Sequence, residues 1–110
     1  MRRLHFDEFE FEPVESEQEV DLAISSPCQH SNLQTFLSNC GASSRSVTPP
    51  PLNWTRWQFV AEHLRCLAGL EMPHRTQWRE AALLHDEWNE LEFGVAFGSI
   101  LIWYRWRTTA

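Results

Sequence analysis

Apolar positions in the second half of the chain recur at helical spacing. Trp57, Val60, Leu64 and Leu67, with Ala61 and Ala68 beside them, make one stripe, and Gly69 offers a left-handed stop after it. Thr55 and Gln58 stand at the spacing of a capping box at the start of that helix. After Met72-Pro73, Thr76 is placed to cap a second helix whose stripe is Trp78, Ala81, Leu84, Trp88 and Leu91, closing before Gly94. The two together predict an antiparallel helical hairpin. The uncharged run from Phe93 to Tyr104 has two solutions. A third helix would use Gly94 and Gly98 as a small-residue contact against its neighbour. A β-hairpin would turn at Gly98-Ser99, with Gly at the first central place. The third helix is the preferred reading, so the expected fold is mainly α: a small Trp-rich helical module over residues 54–107.

The first half reads differently. Between Phe6 and Val14, Phe9 and Phe11 alternate with acids, a pattern that could line one strand face but supplies too little apolar surface for a core. Residues 1–24 are therefore expected to be a disordered acidic arm whose anchors for a partner are Phe6, Phe9, Phe11, Val20, Leu22 and Ile24. Val20-Asp21-Leu22-Ala23-Ile24, with acids before it and Ser25-Ser26 after it, resembles a SUMO-interacting motif, which implies a short strand added to the sheet edge of another protein. Residues 25–53 contain Ser25-Ser26-Pro27, Ser43-Ser44 and Pro49-Pro50-Pro51, a composition that predicts a linker with one short turn of helix at Leu33 to Leu37.

Composition narrows the function classes. At 110 residues the chain is one domain at most. Its 15 acidic and 9 basic residues give a net charge of -6, which argues against a protein that neutralises phosphates generally. Every basic residue is Arg. The three cysteines Cys28, Cys40 and Cys66 contain no closely spaced pair, so neither a disulfide framework nor a standard zinc module is indicated. A reducing intracellular setting, nucleus or cytoplasm, follows. Met1-Arg2-Arg3 runs into acids where a secretory signal needs an apolar stretch, so secretion by that route is not expected.

Candidate chemistry is sparse. His63 and Cys66 lie three apart on the first predicted helix, and His74 and His85 could complete a tetrahedral metal set. The simpler reading makes Cys66 a small buried hydrophobe and the histidines ordinary, so no metal and no cofactor is expected. His63 with Cys66 lacks the oxyanion turn and the orienting third residue of a nucleophilic site. Asp86, Glu87, Glu90 and Glu92 read as a solvated helix face. The leading expectation is a non-enzymatic accessory or regulatory protein that works by protein–protein contact through the acidic arm and a Trp-rich helical face carrying Trp57, Trp78 and Trp88. A module of this size has difficulty closing its own core, so association with itself or with a protein partner is expected. Two alternatives stand beside it. Phe93 to Trp106 could lie at a membrane surface, with Arg105 and Arg107 on anionic lipid. Trp54-Thr55-Arg56-Trp57 and Trp103-Tyr104-Arg105-Trp106 could stack on single-stranded nucleic acid, a reading the acidic balance disfavours.

Overall fold

The structure, a computed structural model, describes residues 2–6, 18–25, 32–42, 54–73 and 77–108, with the side chains of residues 54–57 outside the description. It corrects the expected fold class. The protein is mainly β, built on one five-stranded antiparallel sheet with two helices. The elements run β1 (Arg2–Phe6), β2 (Gln18–Ser25), α1 (Leu33–Asn39), α2 (Trp54–Ala68), β3 (Trp78–Glu87), β4 (Glu90–Phe97) and β5 (Ile100–Thr108). The strand order is β1-β2-β5-β4-β3.

The uncharged run at the end of the chain explains this topology. β4 and β5 form a hairpin through Gly98-Ser99, where Gly98 adopts φ 53, so the hairpin solution and not the third helix is the one realised. Both are interior strands covered on both faces, and Leu91 through Ala96 and Leu101 through Tyr104 are all buried. A strand buried on two sides needs no polar alternation, which is why this stretch lacks the period-two signature. Ile100, Ile102, Trp103 and Tyr104 are the residue types that fit a pleated interior.

The second predicted helix is also overturned. Trp78, Ala81, Leu84 and Trp88 belong to β3 and the turn after it, and Leu91 lies in β4. β3 breaks alternation because its register against β4 shifts between Trp78 and Glu80 and again between Leu83 and His85. Such bulges disturb the period-two pattern and let a helical stripe show through a sequence rich in Ala and Leu. The first predicted helix is present as α2, beginning at Trp54, so Thr55 lies inside it and not at its cap. The short turn within 25–53 is α1, and Asn32 caps it by accepting the Thr35 amide at 2.8 Å.

The disordered arm is corrected for the residues described. β1 and β2 are strands of the same sheet, with β2 between β1 and β5. The two halves of the chain therefore share one core, which removes the expectation of a self-contained module at 54–107. One sheet face packs on α2, where Val20, Leu22, Val60, Leu64, Phe93, Ile102 and Tyr104 are buried together. Phe59 meets Trp106 edge-on at 5.0 Å, and Tyr104 Oη and His63 Nδ1 share a buried hydrogen bond at 2.7 Å. Each large apolar side chain fully buried here contributes about 1.5–3 kcal/mol. On the opposite face α1 packs Leu33, Phe36 and Leu37 against Ala23, Ala96, Leu101 and Trp103.

Two predictions follow from this second layer. A Cβ at Gly94 would lie 2.6 Å from Leu37 Cδ2 and 3.2 Å from its Cγ, so the absence of a side chain at 94 is what lets α1 sit down on the sheet. Gly94→Ala should cost about 1–3 kcal/mol in urea unfolding. In a Leu37→Ala background the same change should cost little, and additive costs would show that the contact does not set the spacing. Burial at the C-terminal end of α1 also pushes the Cys40 thiol up to about 11, whereas Cys66 is exposed on α2. Mass-mapped alkylation of the native protein at pH 8 should label Cys66 readily and Cys40 only on unfolding.

Candidate functional site

α1 covers only one end of its face. Beyond it the same face carries a row of ionisable side chains, one from each strand. The register places His5 opposite Asp21, Asp21 opposite Arg105, Arg105 opposite Glu92, and Glu92 opposite His85. Read from edge to edge, basic and acidic groups alternate across the whole sheet. Opposite charges directly across an antiparallel pair are the favourable arrangement.

His5 Nδ1 lies 2.6 Å from Asp21 Oδ1, and Arg105 donates to Asp21 Oδ2 at 3.1 Å. Burial pushes the Asp21 carboxyl up, but the hydrogen bonds from His5 and Arg105 and their charges outweigh it and hold the group below its ordinary value. Arg107 pairs with Glu19 one step along and stands 3.8 Å from Asp21 Oδ2. The guanidinium of Arg105 also lies over the Trp103 ring at 5.1 Å, and Arg3 approaches the same ring at 5.7 Å. Arg3 then donates to the Cys40 carbonyl at 3.0 Å, tying edge strand β1 to the end of α1.

Glu92 is the unusual member, a carboxylate only 1% exposed in the middle of the sheet. The Trp103 indole donates to its Oε2 at 2.8 Å, and His85 Nε2 lies 3.9 Å from its Oε1. A buried carboxylate is costly without such company. The bulge at Leu83/His85 is what supplies the histidine. Ala82 opposes Gly94 on the α1 face and Leu83 opposes Phe93 on the α2 face, so strict alternation would send residue 85 to the α2 side. The extra residue turns His85 back beside Glu92. Glu87 Oε1 lies 3.6 Å from His85 Nδ1, and the ligand atoms of His85, Glu90 and Glu92 all fall within 4.8 Å of one another. Past them the β3–β4 turn, Trp88-Asn89, leaves the Trp88 side chain 70% exposed.

The sequence-predicted site residues scatter. Val20 and Leu22 are core, while Phe6 and Ile24 are half-buried on strands β1 and β2. The stretch Val20–Ile24 is paired on both sides, so it presents no edge for strand addition to a partner. Trp78 is half-buried, with its indole donating to the Pro73 carbonyl at 3.3 Å. Phe9, Phe11 and the Trp57 side chain lie outside the described residues. Of the predicted metal set, His63 is buried on the sheet-facing side of α2 and Cys66 is exposed on the same helix, while His85 is on the opposite face of the sheet. His74 lies outside the described residues. The residues for lipid contact, Trp103, Tyr104 and Trp106, are in the interior. Among the described residues no helix is long and apolar enough to cross a membrane.

Sequence reasoning missed the charged row. At the outer ends of β4 and β5, Glu90-Leu91-Glu92-Phe93 and Tyr104-Arg105-Trp106-Arg107 do alternate at period two, and that was the available signal. No family model, no curated protein and no solved structure matches the chain.

The depressed Asp21 titration gives a signed expectation. Its contribution to stability is present above the unfolded carboxylate value of about 3.9 and is lost as pH falls through the lower folded value. Asp21→Asn should therefore be less stable than the native protein at neutral pH, and the difference should shrink as pH falls below about 4. A pH-independent difference in denaturant midpoints would refute this account of the row.

Proposed function

We propose that the protein acts by binding, without turnover, and that its contact surface is the β3–β4 hairpin tip, which takes a basic surface of a protein partner. One observation carries the reading: Trp88 is the exposed large hydrophobic among the described residues. A large apolar side chain left in water forgoes about 1.5–3 kcal/mol of burial. The turn does not require it, because two-residue hairpin turns favour Asn, Asp or Gly. Exposed Asp86 and Glu87 precede Trp88, and half-buried Glu90 follows Asn89. An aromatic anchor ringed by acids matches an apolar cleft rimmed with Arg or Lys. This keeps the expectation of protein–protein contact, with Trp88 among its residues, and moves the contact from the acidic arm and the Trp-rich helical face to the hairpin.

Peptides selected from a random display library against the whole protein provide the test. They should be enriched in Arg and Lys, shift the Trp88 indole resonance, and bind less well as salt rises. Trp88→Ala should weaken them by about 2 kcal/mol or more while leaving the unfolding free energy within about 0.5 kcal/mol of the native value. Selected peptides without basic character, or with affinity indifferent to Trp88→Ala, would discard the hairpin as the contact surface.

A further inference from the structure

We infer that His85, Glu90 and Glu92 form a binding site for one divalent transition-metal ion of the Zn²⁺ class. The site adjoins the proposed contact surface but does not rest on it. Three lines of geometry support it.

The first is convergence. One imidazole nitrogen and two carboxylates, from adjacent strands β3 and β4, bring their ligand atoms within 4.8 Å of one another. His85 Nε2 and Glu92 Oε1 are 3.9 Å apart, too far for a hydrogen bond. Two ligands at about 2.0–2.1 Å on a tetrahedral ion are separated by about 3.3 Å, so the His85–Glu92 pair needs about 0.6 Å of closure and no pair in the set more than about 1.5 Å, within reach of side-chain rotation. The bulge between Leu83 and His85 exists at the place that turns the imidazole into this cluster.

The second is the support behind each ligand. The Trp103 indole at 2.8 Å fixes Glu92 by its Oε2 and leaves Oε1 on the His85 side. Glu87 Oε1 stands 3.6 Å from Nδ1 of His85, the nitrogen away from Glu92, beyond hydrogen-bond length and placed to accept from it after a small side-chain movement. An outer donor on a ligating carboxylate and an outer carboxylate on a ligating imidazole are the partners that orient metal ligands.

The third is charge. Glu87 and Glu90 oppose each other across the hairpin with Glu92 beside them, and like charges directly opposite are unfavourable. Arg107 and Arg105 stand opposite Glu90 and Glu92 on β5 and are shared with Glu19 and Asp21 on β2, with which they form ion pairs. A dication placed between His85 and the two glutamates offsets the acid excess on the β3 side. Imidazole in the set selects Zn²⁺ and its first-row neighbours over Mg²⁺ and Ca²⁺, which prefer oxygen alone. With His85 and Glu90 half-buried and Glu92 buried, the cluster is open only at its outer side, where water would complete the coordination.

Titration of the whole protein with ZnCl₂ by calorimetry, with ¹⁵N resonances of the His85 ring and the Trp103 indole followed in parallel, tests the site. One equivalent should bind, shifting both resonances. His85→Ala and Glu92→Gln should each weaken binding at least about tenfold. Glu90→Gln, at a less buried position, should do the same with the circular dichroism unchanged, and it decides the matter with His85→Ala if Glu92→Gln does not fold. Cys66→Ser and Trp88→Ala should leave the affinity as it is, which separates this site from a thiol site and from the contact surface. Zn²⁺ affinity unchanged in both Glu90→Gln and His85→Ala, affinity lost only in Cys66→Ser, or Mg²⁺ bound as tightly as Zn²⁺ would overturn the inference.

Discussion

The short helix α1 cannot cover the face it packs on, and the rest of that face is arranged around this limit. Seven residues of helix extend about 10 Å, whereas five strands side by side span about 19 Å. α2, with 15 residues, gives the other face an apolar layer long enough to bury Val20, Leu22, Phe93 and Tyr104 together. On the α1 side the apolar layer ends at the row holding Ala23, Trp103 and Gly94. One step beyond it on the same face of the interior strands stand Asp21, Arg105 and Glu92. The sheet closes there by charge complementarity in place of apolar burial. Trp103 lies at the boundary, with its ring inside the apolar cluster, its indole on Glu92 and Arg105 over its plane.

That arrangement explains what could and could not be read from the chain. α2 was legible because an exposed helix on one sheet face keeps its amphipathic stripe: Val60 and Leu64 are buried while Glu62 and Arg65 pair on the solvent side. The hairpin at Gly98-Ser99 was legible as one of two solutions, since the glycine fits the turn and the β-branched and aromatic residues after it fit a strand. β3 was not legible. Ala81, Ala82, Leu83 and Leu84 favour helix, and two register shifts erase the alternation that would have contradicted it. Its strand state is imposed by pairing with β4, a tertiary effect that local propensity does not contain. β1 and β2 failed for a related reason. Each alone offers too few apolar positions for a core, and only the pairing of β2 with β5 supplies the rest of the buried surface.

The site was hidden for the same reason as β3. Glu92 and His85 are separated by a turn and a bulge, and their adjacency depends on a register that no spacing rule predicts. Read as a helix, residues 86–92 place their acids on a solvated surface. Read as a hairpin, they place Glu87, Glu90 and Glu92 on the same side as His85 and leave Trp88 outside. The candidate metal cluster and the exposed aromatic thus arise from one local choice of secondary structure.

That coupling bears on how the two features could work together. The turn joining β3 to β4 has two residues, so Trp88 and the His85–Glu90–Glu92 cluster are held by the same short ladder. A cation between β3 and β4 would cross-link the strands next to the turn and restrict fraying there, the least constrained part of a hairpin. Restricting an anchor before it docks reduces the ordering entropy lost on binding. An ion in the cluster would therefore act on the exposed Trp88 through rigidity and not through direct contact. The same charge offsets the acids that face a basic partner, so rigidity favours docking while neutralisation opposes it, and by linkage docking acts on loading with the sign that loading has on docking.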